Sequence, residues 1–482
     1  MSSQQDKDRY LIEGRLGPGL WKFAAPFMLA YVLQALYGAV DVLVVGQFCN
    51  AGAVSAVGIG AQAFQLVLGS LYGLCVGGTV LIGFNLGAKD ERGTANAIGA
   101  TAALFAVVAI ILTPTTALLT RPLVSLMQTP PEAFEYACQY VFICACGIPF
   151  IIGYNVISAI YRGFGDAVRP MYFVAVACVA NIIGDVILIG DFHFELFGQP
   201  IHVGGFNLGP AGAAYATAGS QALSFFCALF HARRRRFPVD FHRTNFIPRR
   251  KEIVSILKVG IPLSLQDFLT GTSFLVILAI VNLMGVLESA GMAVAERIVG
   301  FMFMPPVAFS SAVATATSQN FGAQKYRRAF KAMVMGGGFA LIFGFASLTL
   351  SQVFPANMSA IFSSDPQVVE QSSLYLRSFS FDCLLVSLVF AFNGYFCGAS
   401  RAVIVSVHSI LAAVLFRIPL SYLFSKMEDA SLYEVGFAAP LASLFSILLC
   451  SGYFFYLYKT KKLQLRDVPN PETSEPPKPE TV

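Results

Sequence analysis

Carboxylates within apolar stretches are the residues of this 482-residue chain with the clearest chemistry. Asp41 lies in a long apolar run, and Tyr37 and Gln34 precede it by four and seven residues, so a helix would place all three on one face. A charged carboxylate at the centre of a bilayer costs about 2.5–3.5 kcal/mol even on mild insertion scales, and such residues mark functional sites. The chemistry expected of Asp41 is reversible binding of a proton or of a small hard cation.

Two later apolar runs carry polar pairs with helical spacing. Asn181 and Asp185 lie four residues apart, as do Thr217 and Gln221, so each pair shares one helix face. Together with Asp41 they would supply two carboxylates, an amide and a hydroxyl. Such a cluster could keep a proton on one carboxyl, or it could bind Na⁺ through its oxygen atoms. The alternative interpretation is that these polar groups only satisfy one another in a hydrated core.

The elements that would position these residues are membrane-spanning helices. Apolar residues make up 56% of the chain, charged residues make up 12%, and the mean hydropathy is +0.68, values typical of a membrane-embedded protein. A bilayer-spanning helix needs about 20 apolar residues. Runs of that length predict an all-α integral membrane protein with twelve spans, near 20–46, 54–86, 94–120, 134–160, 171–190, 210–231, 253–284, 289–320, 331–354, 368–397, 402–424 and 434–458.

Lysine and arginine are concentrated in alternate loops, which predicts the orientation of the spans. If the N-terminus is inside, the outside loops carry only Arg121 and Lys426. The inside loops carry Lys89, Arg92, Arg162, Arg169, the cluster at 233–251, Lys325, Arg327, Arg328, Lys331 and Arg401. Both termini are therefore expected in the cytoplasm.

The two halves of the chain repeat each other at a spacing of 235 to 236 residues. Asn85-Leu-Gly-Ala-Lys89 closes the second predicted helix and Asn320-Phe-Gly-Ala-Gln324 closes the eighth, while Pro26 corresponds to Pro262. Gly165, after the fourth helix, pairs more loosely with Gly398, after the tenth. Because each half has an even number of crossings, the repeats are expected to be parallel about an axis along the membrane normal, with a cavity between them and alternating access.

The repeat divides the chain into a predicted N-lobe at 1–236 and a predicted C-lobe at 237–466. It aligns Asp41 with the apolar pair Val276 and Ile277, so ion coupling is expected in the N-lobe. The C-lobe has its own charges within apolar runs, namely Asp267, Glu296, Arg297, Asp382 and Arg417. These are interpreted as structural or substrate-facing. Tyr37, Gln221, Asp267 and Asp382 are the candidates for facing a substrate, and the roles of Glu296, Arg297 and Arg417 stay open.

In their order and spacing the motifs resemble those of the multidrug and toxic compound extrusion (MATE) transporters, in particular the prokaryotic DinF-like branch. The resemblance covers nearly all of residues 15–460. The matching motifs are the helix with Pro26, Gln34 and Asp41, the Asn85–Lys89 segment, Arg162-Gly-Phe-Gly-Asp166, Asn181-x3-Asp185, and the stretch Gly209–Thr217.

This resemblance implies a MATE/MOP-type fold and the export of small organic cations in exchange for H⁺ or Na⁺. It also implies an N-lobe cation site made of Gln34, Asp41, Asn181, Asp185 and Thr217. Pro26 would be the point where the first helix bends when that site changes protonation. Other branches place an acidic residue on the seventh helix beyond the shared proline, but here that region reads Phe268-Leu-Thr270, so no C-lobe ion site is carried over.

The expected partners are small organic cations and membrane lipid, with no nucleic acid and no cofactor beyond the coupling ion. The expected location is the bacterial plasma (inner) membrane, as a multi-pass monomer. No nucleophile–base spacing or P-loop supports an enzyme. The alternatives are a lipid-linked oligosaccharide flippase of the same superfamily, which would favour a cationic cavity and extra helices, and a channel or receptor.

Two segments outside the helices also carry predictions. The loop at about 191–209 alternates polar and apolar residues around a turn, which predicts an extracellular hairpin. Its residues Asp191, His193, Glu195 and His202 are zinc-ligand types, but the interpretation adopted is that the chain has no metal site. Residues 467–482 are rich in Pro and Glu, which predicts a disordered cytoplasmic tail.

Overall fold

The computed structural model describes residues 10–196, 199–234, 239, 241–247, 249–428 and 430–460. Among these residues, twelve helices are long and apolar enough to cross a membrane, as predicted. In chain order these spans are Leu16–Phe48, Ala51–Gly87, Glu91–Leu118, Pro131–Gly163, Val168–Ile189, Gly209–Arg234, Arg250–Asn282, Val286–Gly322, Tyr326–Val353, Pro366–Gly398, Ala402–Phe424 and Leu432–Lys459. The predicted disordered tail at 467–482 lies outside the described residues.

Several features of the spans were not predicted from the hydropathy pattern. Short helices, Thr120–Leu126 and Pro355–Ala360, follow the third and ninth spans. The eleventh span is interrupted by a π-helical turn over Ala413–Arg417, before Pro419. The twelfth begins with a short helix, Leu432–Gly436, which precedes its main part, Ala438–Lys459.

The turns that follow corresponding spans have the same backbone conformation in both halves. Lys89 and Gln324 both adopt a positive φ, 56° and 58°, directly after the second and eighth spans. Gly165 and Ser400 do the same, with φ of 87° and 57°, after the fourth and tenth spans. The structural counterpart of Gly165 is therefore Ser400, and the looser pairing of Gly165 with Gly398 was wrong by two residues.

The loop after the fifth span contains the predicted hairpin. Strand β1, Asp191–Leu196, pairs antiparallel with strand β2, Gln199–Gly204, and His193 lies opposite His202 in the register. The backbone then continues through Gly205, whose N–H donates to the carbonyl of Gly190 at 2.8 Å. This bond ties the base of the hairpin to the end of the fifth span.

The two halves meet where the second and eighth spans end. A Cβ added at Gly87 would lie 1.9 Å from the carbonyl oxygen of Gln319, and one added at Gly322 would lie 1.9 Å from that of Phe84. Only glycine allows the backbones to approach so closely. Because these span ends carry the basic loops, the lobes are closed against each other on the side that the charge pattern assigns to the cytoplasm.

The chain segment before the first span adds to this contact. The Tyr10 hydroxyl donates to the carbonyl of Gly165 at 2.5 Å, on the N-terminal half. The Leu11 carbonyl accepts from Asn320 Nδ2 at 3.1 Å and from Arg328 Nε at 3.0 Å, on the C-terminal half. The segment therefore binds both halves at once.

The first span changes its surroundings at Pro26. Before the proline, Leu20 and Phe23 are fully buried in an apolar cluster shared with the eighth and ninth spans. Beyond it, Leu36 and Leu43 are 49% and 63% exposed. The proline, which removes a helical hydrogen bond, lies where the tightly packed part of this span gives way to its exposed part.

Candidate ion-coupling site

The polar residues predicted to act together in the N-terminal half do come together, buried among the first, fifth and sixth spans. Asn181 and Asp185 are fully buried, Asp41 is 4% exposed and Thr217 is 9% exposed. The Thr217 hydroxyl donates to Asp41 Oδ2 at 3.1 Å, and Asn181 Nδ2 donates to the Thr217 hydroxyl at 3.4 Å. The Asp185 carboxyl lies beside that of Asp41.

Helical spacing and small side chains explain this arrangement. Asn181 and Asp185 are one turn apart on the fifth span and face the same way. The sixth span presents the buried alanines 213, 214 and 216 around Thr217, so it packs closely against its neighbours. The first span contributes Asp41, which is buried although its neighbours Val42 and Leu43 are exposed.

The cluster is short of hydrogen-bond donors and of positive charge. Within the described chain, Asp41 Oδ1, both oxygens of Asp185 and Asn181 Oδ1 have no hydrogen-bond partner. The ion pairs found among the described residues, Arg121–Glu135 and Arg169–Asp166, lie elsewhere. Two adjacent buried carboxyls without a counter-charge cannot both stay ionised, so they must share a proton or hold a cation.

The other N-lobe residues proposed from the sequence are less buried than this cluster. Gln34 is exposed on the first span, and Tyr37 is half-buried near Asp41. Gln221 is half-buried on the sixth span. Pro26 lies within the first helix, which continues past it to Phe48.

Tyr140 is a member of the site that sequence reasoning missed. It is 3% exposed on the fourth span, and its phenol lies within hydrogen-bonding reach of Thr217. Cys144, one helical turn further on, lies beside it. A buried phenol needs a polar partner, so a tyrosine within an apolar helix was the available signal. The fourth span has several tyrosines, however, and its sequence does not distinguish among them.

The charged residues of the C-terminal half form a different kind of cluster. Asp382 is 4% exposed on the tenth span and lies within hydrogen-bonding reach of Ser443. The Arg417 guanidinium interacts electrostatically with both Asp382 and Glu296. It also lies 3.9 Å from the centroid of the Phe274 ring, a cation–π contact. Here a fixed positive charge accompanies the carboxyls.

A cavity lies between the halves, near the level where they meet. Asp267, which was proposed as a possible substrate-facing residue, lines it, and so does Arg162. Tyr72 and Phe390 give it aromatic walls, and Gln266 contributes an amide.

Twelve spans in two halves, a buried carboxyl pair in one half and a cavity between the halves define a polytopic membrane transporter. The family model described as MatE matches the chain twice, at residues 26–187 and 262–423, so both matches begin at the repeated prolines. The chain therefore belongs to the MATE family, as its motifs indicated, and it is a transporter rather than an enzyme.

Curated relatives cover most of this chain. The probable multidrug resistance protein YoeA of Bacillus subtilis is 27% identical over 459 residues, which are 92% of this chain and 96% of the relative. The multidrug export protein MepA of Staphylococcus haemolyticus is 26% identical over 80% of this chain and 82% of its own length.

Solved structures of MATE transporters share the fold. The outward-facing conformation of a multidrug resistance MATE transporter of the MOP superfamily superimposes with a TM-score of 0.86, covering 95% of this chain and 99% of that one at 22% identity. MATE structures in straight and bent conformations each give a TM-score of 0.84 at 22% identity. They cover 94% and 95% of this chain, respectively, and 99% of each solved chain.

Proposed function

We propose that this protein is a secondary active antiporter that exports small organic cations in exchange for H⁺ or Na⁺. The observation that carries the proposal is the buried carboxyl pair of Asp41 and Asp185, which has no counter-charge among the described residues. The relatives named as multidrug resistance and multidrug export proteins support organic substrates for this chain. The cavity between the lobes offers them space.

Coupling would follow from competition for negative charge. With one proton or Na⁺ bound, the Asp41–Asp185 pair keeps a single negative charge, and the Thr217 hydroxyl, which accepts from Asn181, donates to Asp41 Oδ2. Once that ion is released, the uncompensated charge favours a cationic substrate on the N-lobe side. A monocation exchanged for one proton moves no net charge, so a pH difference would supply about 1.4 kcal/mol per unit. A second proton would add about 2.3 kcal/mol per 100 mV of membrane potential.

Alternating access would use the contacts that close one side of the molecule. The Gly87–Gly322 crossing and the segment at Tyr10 and Leu11 join the halves at the ends that carry the basic loops. These contacts must separate for the cavity to open towards the cytoplasm. Pro26 marks where the first span passes from packed to exposed surroundings, which supports a bend there, and MATE structures exist in straight and bent conformations.

We also propose a location, an orientation and an oligomeric state for the protein. It is a multi-pass monomer in the bacterial inner membrane, with both termini in the cytoplasm, the hairpin β1–β2 on the outer face and lobe boundaries at 1–236 and 237–466. The asymmetry of lysine and arginine among the loops supports the orientation. The duplication within one chain supports the monomer, since both lobes and the cavity between them come from a single copy.

The test is ethidium efflux from vesicles under separately imposed pH and Na⁺ gradients, comparing the wild type with Asp41→Asn. We expect one gradient to drive efflux in the wild type, which names the coupling ion, and Asp41→Asn to abolish it. Glu135→Gln is the control, because Glu135 is an exposed acid outside the cluster, and it should transport normally.

Other outcomes of this assay would change the proposal. Unchanged efflux by Asp41→Asn would move the coupling to Asp185 or to the C-lobe. Absence of efflux in the wild type under either gradient would contradict the antiporter and favour a flippase for lipid-linked oligosaccharides.

A further inference from the structure

Two residues of opposite charge line the cavity between the lobes, one from each lobe. Arg162 comes from the end of the fourth span and Asp267 from the middle of the seventh. Both are half-buried. The cavity therefore has a positive side contributed by the N-lobe and a negative side contributed by the C-lobe.

Neither charge is neutralised by the described protein. The ion pairs among the described residues involve neither Arg162 nor Asp267. The Arg162 guanidinium lies over the Phe27 ring, whose centroid is 5.6 Å away. Arg169, seven residues later, differs, because its guanidinium is 2.6 Å from Asp166. The opposed charges in the cavity are thus available to a ligand.

The walls around the two charges suit an aromatic molecule. Tyr72 and Phe390 line the cavity, and Val76 and Leu263 add apolar surface. Gln266 also lines it, and its Oε1 atom is buried without a hydrogen-bond partner in the described chain. An unpaired buried amide oxygen is an acceptor that a ligand N–H can satisfy.

The opposite charges do not follow from the internal repeat. Asp267 lies five residues after Pro262, and the residue five after Pro26 is Tyr31. Arg162 accepts the N–H of Gly165 in the turn after the fourth span, and the equivalent acceptor after the tenth span is Cys397. Each lobe has therefore acquired its charge separately, and the pair exists only where the two lobes face each other.

We propose that Arg162 and Asp267 form a specificity site for dipolar substrates, molecules with an aromatic body, a cationic amine and an anionic carboxylate. This inference rests on the proposed transport of organic molecules and narrows their class. The amine would bind Asp267, and the carboxylate would bind Arg162, whose planar guanidinium can donate two parallel hydrogen bonds. A substrate with only a positive charge would leave the arginine unpaired in a desolvated cavity, which lowers its affinity.

The test uses two dyes that differ by one methyl ester. Rhodamine 110 has a free carboxylate, and rhodamine 123 is its methyl ester and purely cationic. Binding to the purified full-length protein in detergent would be measured by fluorescence polarisation. We expect the wild type to bind rhodamine 110 on the order of tenfold more tightly, as one charge-assisted contact would give. Arg162→Gln should remove this preference and leave the affinity for rhodamine 123 unchanged or higher.

Three further variants distinguish the loss of carboxylate binding at Arg162 from a general loss of dye binding. Arg162→Lys should keep part of the preference, because it keeps the charge and loses the planar donor pair. Arg169→Gln removes an arginine that is paired and outside the cavity lining, and it should behave as wild type. Asp267→Asn should weaken both dyes, since both carry the cationic group.

Three results would overturn the inference: equal affinity of the wild type for the two dyes, a loss of affinity for both dyes in Arg162→Gln, or no binding of either dye. The proposed antiport is tested separately by the efflux assay. A clear preference for rhodamine 110 without gradient-driven efflux would support the specificity site and reject the antiporter.

Discussion

The carboxyl clusters of the two lobes differ in what compensates their charge. In the N-lobe, Asp41 and Asp185 lie side by side with a threonine and an asparagine, and no basic residue accompanies them in the described chain. In the C-lobe, Asp382 and Glu296 share the field of Arg417. A site whose counter-charge is part of the chain has less need of an ion from solution, whereas a site without one must take up a proton or a cation.

The repeat makes this contrast sharper. At the repeat spacing of 235 to 236 residues, Asp185 aligns with Leu420 or Ser421, and Arg417 lies one turn before them. The eleventh span has no acid at the aligned position and instead carries a base, Arg417, at the end of a π-helical turn, a feature frequent at functional sites. The repeated helix therefore carries an acid without a counter-charge in one lobe and a fixed positive charge in the other. This difference supports the proposal that coupling uses the N-lobe.

The largest difference between the lobes is expected when one carboxyl in each is neutralised. Asp185→Asn should reduce gradient-driven ethidium efflux to the background of vesicles without the transporter, because the remaining Asp41 loses the partner with which it shares the ion. Asp382→Asn should keep gradient-driven efflux, since Arg417 and Glu296 remain beside the site. Efflux that depends more on Asp382 than on Asp185 would place the coupling ion in the C-lobe and reverse the comparison.

A second prediction concerns Arg417, the fixed positive charge of the C-lobe. Arg417→Met leaves Glu296 and Asp382 without their cation, and loss of one member of a buried charge cluster lowers the free energy of unfolding by about 3 kcal/mol. Scanning fluorimetry in detergent should show a lower melting temperature. Adding Asp382→Asn to Arg417→Met should recover part of the loss, because it removes one uncompensated carboxylate. A melting temperature unchanged by Arg417→Met would show that the arginine does not compensate these carboxyls.

The sequence predicted the spans well because their signal is physical and local. A bilayer requires a long apolar helix wherever the chain crosses it, and the predicted twelve runs correspond to the twelve observed helices. The π-helical turn at Ala413–Arg417 was missed because it changes the hydrogen-bond register without changing the apolar composition. The short helices after the third and ninth spans were missed because they are too short to show a periodic pattern.

The candidate site was predictable only in part. Asn181 and Asp185 share a face at a separation of one turn, so they also share a depth. Gln34 and Asp41 share a face but lie seven residues apart, about 10 Å along the helix axis. At that distance the surroundings change, and the structure buries Asp41 while it exposes Gln34. Tyr140 enters the site through packing of the fourth span against the sixth, which no local pattern records.

The smallest expected effect comes from comparing Tyr140 with Gln34. The Tyr140 phenol lies within reach of Thr217, which in turn donates to Asp41, so Tyr140→Phe removes one hydrogen bond from the network that orients the carboxyl. A hydrogen bond contributes about 0.5–1.5 kcal/mol, which corresponds to a change of roughly two- to tenfold in the apparent affinity for the coupling ion. Gln34→Ala should change that affinity less, because the Gln34 side chain is exposed away from the cluster. Both apparent affinities are obtained by measuring how ethidium efflux depends on the concentration of the coupling ion. If Gln34→Ala has the larger effect, the ion site extends along the first span towards Gln34, and the compact cluster around Asp41 and Asp185 is only part of it.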